Sequence, residues 1–280
     1  MVESPQIRRW VLATRYILLT VIAAIMVYPF AYMISTSLKT RSLALGSPLD
    51  IIPTEPTLQN YVDVFRLADL GRYIANSAFV SVTSTLLIVF LASLMAFAFS
   101  RLRFPGRRLL FISLVIGLAL PTMMLIIPQF ILARDLGLLN STAGLIPFYV
   151  GTALAFHTFL LTGFFSTVPR ELEEAMIVDG AGLWRRYWNL IVPLSRPAIA
   201  TCIIFAFLGT WDEFAWALTT LNDESQRTLP VAIALFRGQY STDWGMVFAA
   251  SIIAVLPVIV VYIIFQRQFV AGLTTGGLKQ

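Results

Sequence analysis

Pro169-Arg170-Glu171-Leu172-Glu173-Glu174-Ala175-Met176-Ile177-Val178-Asp179-Gly180-Ala181, followed by Leu183-Trp184-Arg185-Arg186-Tyr187-Trp188-Asn189-Leu190-Ile191-Val192-Pro193, is a charged island between two long apolar stretches. Its chemistry is that of two short helices hinged at a glycine. Pro169 suits a first helical position, and Glu171, Glu173 and Glu174 lie where the helix dipole favours negative charge. Leu172, Ala175, Met176 and Asp179 follow the i, i+3, i+4, i+7 spacing and share a face. Gly180 is placed to end the helix in a left-handed cap. The stretch from Trp184 to Trp188 predicts a second short helix, closed by Pro193. A loop that only joins two membrane helices has no need of such elements, so the pattern predicts a docking surface for a soluble partner. The second helix also admits another reading, as an amphipathic segment lying among lipid headgroups. The first does not, since three glutamates would face anionic lipid.

The flanking sequence makes this a membrane protein. Apolar residues are 58% of the chain and charged ones 12%, too few to cover a soluble surface of this size. No Asp, Glu, Lys or Arg lies between Arg15 and Lys39, Arg72 and Arg101, Arg108 and Arg134, Asp135 and Arg170, or Asp243 and Arg267. Each gap exceeds the roughly 20 residues a helix needs to cross a bilayer. A further apolar stretch, Pro197 to Asn222, is interrupted only by Asp212 and Glu213. Backbone groups in lipid must be satisfied within the segment, so these runs predict helices, and the short alternating segments of a β-barrel are absent. The expectation is an all-α polytopic protein, one transmembrane domain over 1–280 with six spans near 13–37, 73–100, 109–132, 146–167, 197–221 and 244–266 and a loop over 168–196. The first run is too long for a signal-peptide core and is followed by no clear cleavage site, so it reads as a retained helix.

Thirteen of the twenty Lys and Arg fall on the N-terminal side of this topology, which places both termini and the 168–196 loop in the cytoplasm. The net charge of +5 is largely this asymmetry and gives no reason to expect nucleic acid. The one cysteine, Cys202, excludes an internal disulfide and a cysteine metal cluster. Pro121 and Pro128 should kink the third span. The loop before the second span predicts a short helix from Leu58 to Leu67. Lone His157 in the fourth span reads as a packing or hydrogen-bonding residue.

Glu174-Ala175, Gly180, Leu190 and Pro193 have the spacing of the EAA loop, and on these residues the chain resembles the binding-protein-dependent permeases of ATP-binding cassette importers. Asn60-Tyr61, Asn76-Ser77, the basic turn from Ala96 to Arg107, Pro121 with Ile127-Pro128, Trp211-Asp212-Glu213-Phe214 and the tail from Phe269 to Lys279 are similar to the maltose-type, carbohydrate-importing branch. Two positions depart from that pattern. Met176 replaces a usual alanine, and Asp212 puts a charge where the branch has a neutral asparagine.

The resemblance implies a type I importer permease fold in the inner membrane of a prokaryote. It implies a second homologous permease, two copies of an ATPase subunit that bind ATP and Mg, and an extracytoplasmic solute-binding protein. The chain would bind no cofactor and no metal and would not itself be an enzyme; it has no phosphate-loop motif. Glu171, Glu174, Ala175, Met176, Asp179, Gly180 and Ala181 would dock the ATPase. Gly276, Gly277 and Lys279 would contact it from the tail. Trp211, Asp212, Glu213 and Phe214 are candidates for the substrate path or the seam with the partner permease, or else cap a helix break. The alternative function is an ion-coupled secondary transporter or channel using Asp212 and Glu213, but no internal repeat supports it.

Overall fold

The computed structural model describes residues 5–40, 51–67, 69–236 and 243–277. Lys279 and Gln280 of the tail, and Pro48 of the first loop, lie outside these. Among the described residues the regular structure is entirely helical. The chain divides into two compact units, Met1–Leu70 with Ile233–Ile253, and Gly71–Ala232 with Ala254–Gln280.

The first unit holds α1 (Pro5–Ser37) and α2 (Gln59–Leu67), the short helix expected before the second span. Asn60 and Tyr61 explain why α2 sits where it does. The Asn60 amide donates to the carbonyls of Ser37 and Lys39, both at 2.8 Å, and the Tyr61 hydroxyl shares a 2.8 Å hydrogen bond with Ser37. These bonds occupy carbonyls that the end of α1 leaves open. Among the described residues, the most hydrophobic window of α1 has no buried residue.

The second unit is a helical bundle. α3 (Leu70–Arg101), α6 (Ile146–Phe165) and α10 (Arg196–Trp211) supply its core. Ala92, Ala96, Phe97, Leu161, Phe165, Ala198 and Cys202 pack at one end. Val80, Phe148, Tyr149, Trp216, Ala217 and Leu221 pack in a second cluster. The last helix, α13 (Trp244–Gly277), runs 34 residues. Among the described residues five helices are long and apolar enough to cross a membrane, and six if one bent pair counts as a single span.

That pair shows the bend expected in the third span at Pro121, sharper than a simple kink. α4 (Arg107–Gly117) and a segment from Thr122 to Asp135, ending in α5 (Ile126–Asp135), meet at 95°. Pro121 causes the break: it has extended backbone (φ −63°, ψ 126°) and no N–H to continue the ladder, and its ring disfavours helix at Leu120. Pro128 does not kink. It is the third residue of α5, within the first turn, where a missing N–H leaves no intrahelical bond unmade.

The segment 222–228, which leads into α12 (Leu229–Leu235), is tied rather than loose. Asn76 donates to the carbonyls of Ser225 and Arg227, each at 2.9 Å, and Ser77 accepts from the backbone of Leu229 at 2.8 Å. The Asp223 carboxylate accepts from the N–H and hydroxyl of Ser225, and those bonds hold it below the usual carboxylate range.

A Cβ at Gly144, in the turn before α6, would lie 2.1 Å from the Leu138 carbonyl oxygen, a backbone atom that cannot swing away. Gly144→Ala is expected to destabilise the protein by about 1–3 kcal/mol. Gly182→Ala meets nothing within 4 Å and should stay within about 0.5 kcal/mol of wild type. Thermal unfolding of the detergent-solubilised protein checks both; equal midpoints would refute the packing argument at Gly144.

Candidate functional site

The loop folds as two short helices and a joint, as its sequence predicts. α7 spans Arg170–Val178, with Pro169 just before it as the extended N-cap residue (ψ 135°). Gly180 ends it in the left-handed region, at φ 78°. The Ala181 N–H reaches back to the Met176 carbonyl at 2.8 Å and the Gly180 N–H to Ile177 at 3.0 Å, the paired bonds of a Schellman cap. The Cβ site of Gly180 is open, so a side chain there costs backbone strain and not a clash.

The second segment differs from a plain short helix. α8 (Leu183–Arg186) passes into a π-helical turn, Tyr187–Ile191, and then α9 (Val192–Leu194). Pro193 has no N–H to give the carbonyl four residues back, and the widened turn sits just before it. Tyr187 and Ile191 are buried in the α3–α6–α10 core, and the Tyr187 hydroxyl shares a 2.7 Å bond with Ser93 of α3. This segment is therefore held in the bundle by its own side chains, while Trp184 and Trp188 are exposed.

The faces of α7 separate by burial. Leu172, Ala175 and Asp179 are exposed, Met176 is half-buried, and the inward residue is Glu173. Its carboxylate meets two guanidinium groups, Arg186 at 3.0 Å and Arg101 at 3.5 Å. The Arg101 side chain is 2% exposed and also donates to the carbonyls of Phe165 and Val168, at the end of α6. Arg101 and Arg186 had counted only as topology signals, and Glu173 only as helix-dipole charge. Glu171, Glu174, Ile177 and Val178 face outward, so α7 presents an outer surface of mixed acid and apolar side chains, with Val178 87% exposed.

The second candidate region is a helix break. α10 ends at Trp211, and α11 (Ala215–Thr220) begins after a non-helical interval. Asp212 and Glu213 are thus not neighbours on one continuous helix. Glu213 caps α11. Its carboxylate accepts from the N–H groups of Trp216 and Ala217 at 2.7 and 3.1 Å, and from the Tyr149 hydroxyl at 2.7 Å. Trp211 is buried, stacked on Phe207 and donating to the Ala254 carbonyl at 3.0 Å. Asp212 and Phe214 are exposed. A cavity of about 250 Å³ adjoins the break, and its wall includes Gln129, Thr152, His157, Thr210, Glu213 and Trp216. Of the four candidates only Glu213 lines it. His157 is buried and paired with the Ala153 carbonyl at 2.8 Å, a local packing role. Gly276 and Gly277 belong to the last turn of α13.

Because Glu213 closes the break, Glu213→Ala should cost about 2 kcal/mol through the lost cap and the orphaned Tyr149 hydroxyl, while Asp212→Asn should cost almost nothing. Melting curves in detergent decide this; a larger loss for Asp212→Asn would overturn the capping role.

Known proteins place these features in a family. The model for "Binding-protein-dependent transport system inner membrane component" matches residues 88–274, which include the loop and the break. The trehalose/maltose transport system permease protein MalG of Thermococcus litoralis is 37% identical over 261 residues, 92% of this chain and 93% of that protein. The sulfoquinovosyl glycerol transport system permease protein SmoH of Agrobacterium fabrum is 36% identical over 266 residues, covering 95% and 93%. The diacetylchitobiose uptake system permease protein NgcG of Streptomyces coelicolor is 34% identical over 269 residues, covering 95% and 89%. A chain in the crystal structure of a bacterial ABC transporter involved in alginate import superposes with a TM-score of 0.84 at 24% identity, over 96% of this chain and 99% of that one, and so shares its fold. The chain belongs to the family of binding-protein-dependent transport system inner membrane components.

Proposed function

We propose that this chain is one permease subunit of an ATP-driven carbohydrate importer, in which all 280 residues act as a single six-span domain lining half of the translocation path. What carries the reading is α7, a helix anchored by one face and leaving acid and apolar side chains free on the other. An exposed apolar patch rimmed by charge is the chemistry of a protein-docking surface. On this reading Glu171, Glu174, Ala175, Met176, Asp179, Gly180 and Ala181 form the contact with an ATPase subunit. Two such subunits bind ATP and Mg and drive the cycle; this chain supplies no catalytic group. ATP shifts the transporter toward one state by favouring that state's ATPase arrangement. The tail residues Gly276, Gly277 and Lys279 lie near enough in sequence to the end of α13 to take part.

The remaining partners are a second, homologous permease, a solute-binding protein outside the membrane, and lipid. Similarity to permeases named for diacetylchitobiose, sulfoquinovosyl glycerol and trehalose or maltose supports a carbohydrate or a related glycoside as cargo. Glu213 and the cavity beside it are the candidate path, and exposed Asp212 and Phe214 the candidate seam. An ion-coupled mechanism through the two acids is disfavoured, because Glu213 already serves two backbone N–H groups and a tyrosine.

Both termini and the 168–196 loop are assigned to the cytoplasm. In a Cys202→Ser background, Thr54→Cys should react with an impermeant thiol reagent in intact cells and Gly182→Cys should not. Equal labelling would refute this topology. For coupling, Glu174→Lys and Gly180→Leu should leave the protein inserted while lowering binding-protein-stimulated ATP hydrolysis of the reconstituted complex by roughly tenfold or more. Wild-type stimulation in both variants would sink the docking assignment.

A further inference from the structure

We propose that Glu173 is a positioning residue that makes the docking loop and the adjoining ends of α3 and α6 one rigid piece, so that force on α7 is delivered to α3. The inference rests on the docking reading above. By chain connectivity the loop is joined only to α6 and α10; α3 ends at Arg101, far earlier in sequence. The link to α3 is made by side chains. Arg101 reaches from the end of α3 to the carbonyls of Phe165 and Val168 and to Glu173. Glu173 in turn holds Arg186 of α8 at 3.0 Å. One carboxylate thereby joins α3, α7 and α8, and the bond between Tyr187 and Ser93 adds a second tie to α3, about two turns before Arg101.

The arrangement is built for direction. A guanidinium offers a planar fork of donors, which fixes the angle between its acceptors as a point charge cannot. Apolar residues in the same place would pack but would leave α7 free to slide. Replacing a buried ion cluster by apolar groups is often neutral for stability, so stability alone gives little reason for charge here. The outer face of α7 stays available to a partner because Glu173 holds the inner one, and the adjacent Glu174 is exposed.

The test is made on the full complex of permeases and ATPase subunits in lipid, with ATP plus vanadate as the probe. Spin labels are placed at Leu86 of α3 and Arg185 of α8, both exposed and outside the docking set, in a Cys202→Ser background. In otherwise wild-type protein their separation is expected to stay constant between nucleotide-free and vanadate-trapped states. In Glu173→Gln it should change by on the order of 2 Å or more, with ATPase subunits still retained, and Glu173→Asp should restore constancy. A residue that only stabilises the loop would change the melting temperature and not this distance. A nucleotide-dependent distance in the wild-type background, or a constant one in Glu173→Gln, overturns the inference alone; where Glu173→Gln fails to assemble, Arg186→Gln, which loses the Glu173 contact to α8, is read in its place by the same criterion. A wild-type chain that retains no ATPase subunit overturns the docking reading and this inference with it.

Discussion

Arg101 is the residue on which the loop end of the bundle depends. Its guanidinium is almost wholly buried and is shared between two backbone carbonyls at the end of α6 and the Glu173 carboxylate. Taking a cation and an anion out of water costs several kcal/mol each, and close pairing with additional hydrogen bonds is what offsets it. Here the two carbonyls belong to a helix end, where acceptors are otherwise open. The same contacts that make the buried charge tolerable also finish α6 and fix where α7 starts. Removing Glu173 would leave the Arg101 guanidinium buried without the carboxylate it pairs with, at a cost of about 3–5 kcal/mol.

A second constraint acts further along the bundle. A broken helix in an apolar setting must have its freed N–H and carbonyl groups answered by protein. The break after Trp211 is answered by Glu213, which turns from α10 to cap α11. The break at Pro121 is cheaper, since proline has no N–H to leave open. A carboxylate in a membrane span therefore need not be a transport group. Its chemistry here is that of an N-cap, strengthened by charge and by Tyr149.

The fold was legible because its signals are long. Uncharged runs of more than 20 residues leave few options, and glycine at position 180 does what a left-handed cap requires. The site was legible only in part. Glu173 and Glu174 are adjacent acids in one helix, indistinguishable by type. Which one turns inward depends on Arg101, distant in sequence, and no local pattern reports that. The apolar spacing groups Met176 with Leu172 and Ala175 but does not say which way that face turns; the inward contact of α7 is an ion pair and not an apolar stripe. For the acids of the fifth span the sequence left a helix-break cap open, and Glu213 takes that role; which of two adjacent carboxylates does so depends on how the backbone turns after Trp211, and no local pattern reports that.

These two devices have complementary mechanical consequences. At the loop end, α3, α6 and α10 share a core into which the loop inserts Tyr187 and Ile191, and the ion cluster adds directional ties across three elements. Packed interiors of this kind transmit displacement and do not absorb it. The breaks at Pro121 and at Asp212–Phe214 are the positions where helical hydrogen bonding is interrupted, and a hinge needs few residues that can change φ and ψ. On the docking proposed for α7, a displacement applied there would be carried through the packed end and taken up at the joints. Both joints border the cavity lined by Gln129, His157 and Glu213, so the volume of that cavity is the quantity such a displacement changes first.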